Sequence, residues 1–351
     1  MESGEKVQDA SPLPEEALTV AVTGPTGEIG LPLLEELEGD PAVGTVRGMA
    51  RRAFDPALEG WKKVGYRRGD ILDRGSLDDL FADADVAVHL AFAIFGGRGE
   101  TRRVNLEGSR NVFEAAIEAG VERLVYASSV AAYGFHADNP LPLTEEVPAR
   151  GSESFYYSAQ KAELESTLDG LLAGSGVDAY VFRPCIVAGP RATMLIEKVV
   201  DSARLGDPLP VLRRSLGRLP LPRPLLPDAG APIQLVHHDD VARALAAAIA
   251  GQGAPGAYNL AGEGEIGIGD VARALGWHTV PVPASAVALG AGVARRLSRI
   301  SPQLEWATAL RTSVTMDTSK ARLELAWEPR FDAAETLIQT AVSAREAGLL
   351  D

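Results

Sequence analysis

The stretch that most constrains the fold is ALTVAVTGPTGEIG, Ala17 to Gly30. Leu18 to Val22 are apolar or β-forming and run into Thr23. Gly24, Gly27 and Gly30 follow at G-x-x-G-x-x-G spacing, and LPLLEEL comes next. The pattern predicts a buried strand, a tight turn and the start of a helix. The first two glycines let the backbone turn sharply and approach a pyrophosphate, and the third lets the helix pack close to the strand. The helix N-terminus adds free N–H groups and a partial positive charge. A dinucleotide site over Gly24, Thr26, Gly27, Glu28, Ile29 and Gly30 is therefore expected. The bland alternative is a structural turn.

The helix stops near Gly39–Asp40–Pro41, and Val43 to Ala50 read as a second strand. About twenty residues past Gly30, the dinucleotide fingerprint expects a carboxylate for the adenosine ribose. This chain has Ala50, Arg51 and Arg52 there. Without the acid, nothing binds the 2′-hydroxyl or repels a 2′-phosphate, and two guanidiniums supply charge and bidentate donors for that phosphate. NADP(H) is expected over NAD(H); a solvated arginine pair beside an unselective site is the alternative.

Tyr66 to Ile71 read as a third strand. Asp70 at its end can accept from an adenine amino group, with Ile71 against the ring. Ser76 reads as the cap of a short helix, Leu77–Phe81. Val86 to Ala91, VAVHLA, is a continuously apolar fourth strand, as a sheet covered on both faces requires. His89 within it reads as a core histidine rather than a catalyst. Glu100 to Ala119 predict a long helix and Arg123 to Ala127 a fifth strand. The alternation implies right-handed crossovers and a doubly wound parallel α/β sheet.

With 351 residues, 46% of them hydrophobic, the chain can build one large or two modest domains. Residues 1–16 are expected to be a mobile tail, 17–184 a cofactor domain carrying the catalytic residues, and 185–351 mainly a smaller substrate domain, with 233–260 returning to the cofactor domain. The net charge of −14 argues against nucleic-acid partners. The one cysteine, Cys185, excludes an intrachain disulfide framework, fits a reducing, cytoplasmic compartment and reads as a core residue. No apolar run reaches the roughly 18–20 residues of a membrane span, and the start lacks a signal-peptide pattern, so no stable membrane anchor is expected.

The chemistry is concentrated in the next forty residues. The fifth strand ends in Ser128–Ser129, and Ser154 to Leu172 predict a helix carrying Tyr157 and Lys161. At i and i+4 these lie on one helix face, roughly 6 Å apart along the axis. A phenol with a pKa of about 10 exchanges protons poorly at neutral pH unless its anion is stabilised. The Lys161 ammonium can provide that and hold a nicotinamide ribose, while Ser129 polarises a substrate carbonyl beside Tyr157. Alone, Y-x-x-x-K is usually a surface pair; after a glycine fingerprint and a serine-bearing strand it is far more specific.

Together these residues resemble the extended short-chain dehydrogenase/reductase family, NAD-dependent epimerase/dehydratase type. TGPTGEIG is similar to its TGxxGxxG, YASSVAAYG to its serine-bearing strand, with Ser129 four before Tyr133, and YSAQK to its YxxxK. Asn105 in RVNLEGSRNV, the RP and GP of Arg183–Pro190, HHDDVARAL with Asp240, and the DTSK–W stretch from Asp317 to Trp327 match further segments. The segment from His136 to Glu165 is most similar to a subgroup labelled UDP-glucose 4-epimerase-like. The resemblance implies cofactor contacts at Leu90, Ala91, Asn105, Pro184 and Ile186 besides Tyr157 and Lys161. It implies substrate contacts at Phe92, Ser129, Val130, Tyr133 and Met194, no metal, and a homodimer through two helices per subunit. Sugar-nucleotide epimerases carry an asparagine and an arginine for the diphosphate where this chain aligns Ile186 and Ile233. With Ala50, these departures argue against a UDP-sugar substrate and a permanently bound NAD.

Arg191 to Pro232 lack helical or strand period and read as a loop over the site; Arg213, Arg214, Arg218 and Arg223 either hold an anionic substrate or are solvated. Val287 to Ile300 is an amphipathic, basic helix candidate that either touches a membrane surface or an acidic partner or, more simply, packs on its own domain. His237, His238, Asp239 and Asp240 look like a metal cluster, but adjacent side chains are expected to face different ways, leaving a helix start with aspartate caps. The expected activity is NADP(H)-dependent interconversion of a carbonyl and an alcohol on a small-molecule substrate. The alternatives are a sugar-nucleotide epimerase/dehydratase with retained NAD, and a non-catalytic NADP-binding sensor.

Overall fold

The computed structural model describes residues 17–94, 98–192, 196–197, 225–228, 230–281 and 314–350. The apolar runs form the strands β1 (Leu18–Thr23), β2 (Val43–Ala50), β3 (Val64–Arg68), β4 (Val86–His89), β5 (Arg123–Ala127), β6 (Asp178–Pro184) and, much later in the chain, β10 (Gly256–Leu260). They make one seven-stranded sheet in the order β10-β6-β5-β4-β1-β2-β3, parallel throughout. Alternate residues of one strand serve opposite faces. Val20 and Val22 of β1 join one core with Leu33, Leu34 and Leu37 of α1 (Gly30–Gly39) and Val241 and Leu245 of α6 (His238–Ile249). Ala21 joins the other, with Phe81 of α2 (Arg74–Phe81), Phe113 of α4 (Ser109–Ala119) and Leu164 and Leu168 of α5 (Tyr156–Leu172).

The chain leaves β1 toward β2 and β3 on one side, then returns to place β4 on the other. The crevice beyond the C-terminal ends of β1 and β4 is therefore a topological switch point, where open α/β sheets bind ligands. β7 (Ile186–Ala188) pairs with β9 (Leu235–His237), and β8 (Leu225–Asp228) with β11 (His278–Pro281). Asp240, fully buried at the start of α6, accepts from the Arg330 and Phe331 backbone and pairs with Arg243. Its carbonyl accepts from the Trp327 indole, binding the C-terminal segment to the sheet.

Several elements differ from the sequence expectation: β4 stops at His89, short of Ala91, and β8 forms inside the 191–232 stretch read as a loop without strand period. β3 ends at Arg68, so Asp70 and Ile71 lie beyond it, where Asp70 Oδ1 accepts from the Leu72 amide. α2 begins a turn earlier than expected, with Asp73 as its N-cap, and Ser76 Oγ donates to that carboxylate instead of capping the helix. The long helix is α3 (Arg98–Arg102) and α4 joined by a π-helical turn over Arg103–Gly108. The tail 1–16, Met194, the four loop arginines and the 287–300 segment lie outside the described residues. No described helix is long and apolar enough to cross a membrane.

Candidate active site

The glycine turn sits at the switch point. Gly24 has φ +75°, and a Cβ there would lie 2.6 Å from the Ala91 amide nitrogen; one at Gly30 would lie 2.5 Å from the Pro25 carbonyl. Glycine is thus required where β1 meets the end of β4 and where α1 begins. No side chain caps α1 and its first turn holds no acid; the Leu31 and Leu33 amides donate to the Gly27 and Ile29 carbonyls and Pro32 has none, so room for an anion lies at the glycine turn leading into the helix and not along its first turn. This cradle fits a pyrophosphate. β2 ends beside it at Ala50, paired with Arg68 of β3, and Arg51 and Arg52 extend into solvent. Among the described residues neither guanidinium has an acidic partner. Tyr66, whose hydroxyl donates to the carbonyls of Ala50 and Arg52, holds the arginine-bearing turn in place.

Ser129 follows β5 with an extended backbone, and its Oγ accepts from the Ala131 amide at 3.2 Å. Tyr157 lies in the first turn of α5, hydrogen-bonded to Ser129. Burial pushes the Tyr157 phenol up to about 12, and the Ser129 bond pulls against it. Lys161, only 2% exposed, donates to the Ala127 carbonyl at 2.7 Å and the Tyr126 hydroxyl at 3.3 Å. Its Nζ sits 4.0 Å from the centre of the Phe92 ring and 6.0 Å from that of Tyr157. Burial pushes this ammonium down to about 7, and the Glu165 carboxylate pulls it back up. The expected set Ser129, Tyr157 and Lys161 is thus assembled at one place. The ammonium, however, is turned toward β5 and Phe92, and it is Ser129 that lowers the Tyr157 phenol. Phe92 stands edge-on to Tyr157 at 5.5 Å, and Phe155 and Phe135 continue an aromatic wall.

The NAD dependent epimerase/dehydratase family model matches residues 20–261, spanning the glycine turn, α5 and β10. The chain belongs to that family. It is an extended short-chain dehydrogenase/reductase, an enzyme superfamily. A Sinorhizobium fredii protein, described as uncharacterized protein y4nG, is 26% identical over 92% of this chain and 77% of its own length. The crystal structure of gox2253 superposes with a TM-score of 0.72 at 26% identity, covering 95% of this chain and all of that one. A dTDP-glucose 4,6-dehydratase from Streptomyces venezuelae, DesIV, solved as a double mutant with NAD bound, has a TM-score of 0.69 at 21% identity over 95% and 98% of the two chains, a likeness of fold.

Several residues that the family resemblance assigned to ligands are engaged elsewhere. Tyr133 is wholly buried, donates to Asn259 Oδ1 at 2.7 Å and lies beneath the Arg183 guanidinium, so it faces no substrate. Asn105, also wholly buried on the π turn, accepts from the Ala93 amide and donates to the Ala93 carbonyl and Gln160. It clamps the segment after β4, which carries Leu90, Ala91 and Phe92. Ile71 is packed against Gly108, leaving its backbone rather than its side chain for an adenine. Val130 is 7% exposed and Pro184 is buried at the end of β6. Ile186 and Ile233 pack on one small apolar cluster with Ala188, Leu235 and Ile266, a setting without donors for a diphosphate.

His89 is a core residue: its ring bridges Thr23 Oγ1 at 2.7 Å and Ser109 Oγ at 2.8 Å and is held at about 3 by burial. His237 and His238 do not face apart. Their rings lie 4.2 Å apart, tilted against Gly189 and Phe331, and a ligand atom of each comes within 4.8 Å of Asp239. The backbone bends from β9 into α6 between them, which brings neighbouring side chains together. Cys185 is buried and its thiol is pushed far up. Sequence reasoning passed over Glu165, which joins Ser128 and Arg183 in the core; its signal was its place one helical turn beyond Lys161.

Proposed function

We propose that the protein is an NADP(H)-dependent oxidoreductase that interconverts a carbonyl and an alcohol on a small, largely apolar substrate. The observation that carries this reading is the contact between Ser129 and Tyr157 beside Lys161, next to Phe92 of the segment whose Ala91 abuts Gly24. The cradle of Gly24, Gly27 and Gly30 would hold the pyrophosphate. Arg51 and Arg52 would hold a 2′-phosphate, and Lys161 the nicotinamide ribose. When bound, the nicotinamide supplies or accepts the hydride. Ser129 then orients the substrate oxygen, and Tyr157 gives that oxygen a proton in the reductive direction or takes it in the oxidative one. The aromatic wall of Phe92, Phe135 and Phe155 and the isoleucines at 186 and 233 favour an apolar substrate over a nucleotide-linked one. The test is to denature the purified protein, identify any released nucleotide by mass spectrometry, titrate the apoprotein with NADPH and NADH, and then assay a carbonyl panel. An empty site that prefers NADPH, with multi-turnover oxidation, is the expected result. A protein without turnover would be the non-catalytic sensor.

A second reading is favoured by the matched family and by the NAD bound in the DesIV dehydratase. In it, the same residues oxidise and re-reduce one substrate on a retained NAD. Stoichiometric NAD released on denaturation would establish that reading and displace the first.

A further inference from the structure

Lys161 occupies a nearly apolar box. The Phe92 and Tyr126 rings flank its Nζ at 4.0 and 4.9 Å, and among the described residues no carboxylate contacts it. One turn along α5, Glu165 is 6% exposed. Its carboxylate accepts from Ser128 Oγ at 2.5 Å, and from Arg183 Nε and Nη2 at 3.1 and 2.6 Å. Ser128 is the neighbour of Ser129, so this carboxylate ties the end of β5 and the strand β6 to the helix that carries Tyr157 and Lys161.

We propose that Glu165, clamped by Ser128 and Arg183, is a positioning residue that raises the protonated share of the buried Lys161 for its work at the cofactor. A charge in an apolar box is costly to maintain, and a nearby opposite charge offsets that cost. The other groups facing Lys161 give no negative charge at neutral pH. Tyr126 on β5 and Tyr157 on α5 are phenols pushed up by burial, and His89 on β4 is neutral. Arg183 on β6 opposes the effect; it is paired with the Glu165 carboxylate, with its guanidinium 4.5 Å from the Tyr133 ring. Glu165 is accordingly the group that pulls the ammonium upward. Asp169, one turn further, is raised first by its partial burial and then by Glu165 itself.

The proposal rests on the role given to Lys161 above, yet its test needs neither substrate nor cofactor. The chain has six lysines, so Cε-labelled lysine NMR of the full chain resolves Lys161, assigned by the signal lost in Lys161→Met. The expected midpoint is about 7 in the unaltered protein. In Glu165→Gln it should fall by about one pH unit or more, and Glu165→Asp should restore most of the difference. A folded Glu165→Gln with an unchanged midpoint would overturn the proposal. Should that variant fail to fold, the double change Glu165→Met with Arg183→Met removes the pair without leaving an unpaired charge. The midpoint should still fall there, and an unmoved midpoint would likewise overturn the proposal. Inactivity of the unaltered protein toward carbonyls would refute the redox reading and leave this titration as it stands.

Discussion

Tyr157 is a phenol held high by its surroundings and pulled down by one serine hydroxyl. Its proton is therefore at home until the cofactor and substrate arrive, and removal of the hydroxyl should abolish transfer without disturbing binding. Tyr157→Phe is expected to lower turnover of an accepted carbonyl by roughly 10²–10⁴-fold, with NADPH affinity within about threefold of the parent; retained turnover would show that another group carries the proton. Arg51→Ala with Arg52→Ala should weaken NADPH binding by roughly tenfold or more and leave NADH almost unchanged, as charge-assisted hydrogen bonds of about 1.5–3 kcal/mol each are lost. Equal weakening of both would place the ribose pocket elsewhere. Phe92 covers the ammonium of Lys161, so Phe92→Ala should speed cofactor association in stopped-flow fluorescence; an unchanged rate would mean that the ring does not obstruct entry. The proximity of Ser129, Tyr157 and Lys161 was legible in the sequence, because a strand end and an i, i+4 helix spacing bring them together. Tyr133 and Asn105 were not, because a side chain that serves a ligand and one that serves a buried partner look alike until the partner, Asn259 or Ala93, is known.

The elements that carry these residues are held by a few polar contacts. The π turn over Arg103–Gly108 places Asn105 so that both ends of its amide meet Ala93. π turns recur at functional sites because an extra residue in a helical turn re-aims a side chain. Asn105→Ala leaves buried partners unsatisfied and should cost about 1–3 kcal/mol in urea unfolding, with NADPH affinity falling as the segment after β4 loosens. A loss of stability alone would confine the residue to a packing role. Strand positions were legible because their apolar runs are short, β-branched and bounded by turns. The π turn was not, because one residue gained inside a helix barely alters an apolar period read over twenty positions. The start of α2 was missed because both Asp73 and Ser76 can cap, and the choice depends on their mutual hydrogen bond.

At the scale of the molecule, His89 joins β1, β4 and α4 through Thr23 and Ser109 and stacks on Tyr126 of β5. Burial holds it near 3, well below its ordinary 6.5. A base lowered on folding contributes stability that is complete above about 6.5 and is lost as the pH falls toward its folded value, by up to about 1.4 kcal/mol per pH unit. Urea midpoints should therefore drop between pH 7 and pH 5. In His89→Gln the drop should be shallower, even though that variant starts less stable; parallel slopes would assign the acid sensitivity to carboxylates. The parallel sheet followed from strand–helix alternation. The pairing of β10 with β6 spans a long stretch of intervening chain and depends on which edge remains open, a fact of assembly rather than of local pattern. That pairing bears on synthesis. β6 leaves the ribosome well before β10 exists, so the nascent chain carries a bare sheet edge through the making of everything between them. A transcript truncated short of residue 256 would release a product with that edge exposed, suited to sticking to its own copies rather than to holding a nucleotide.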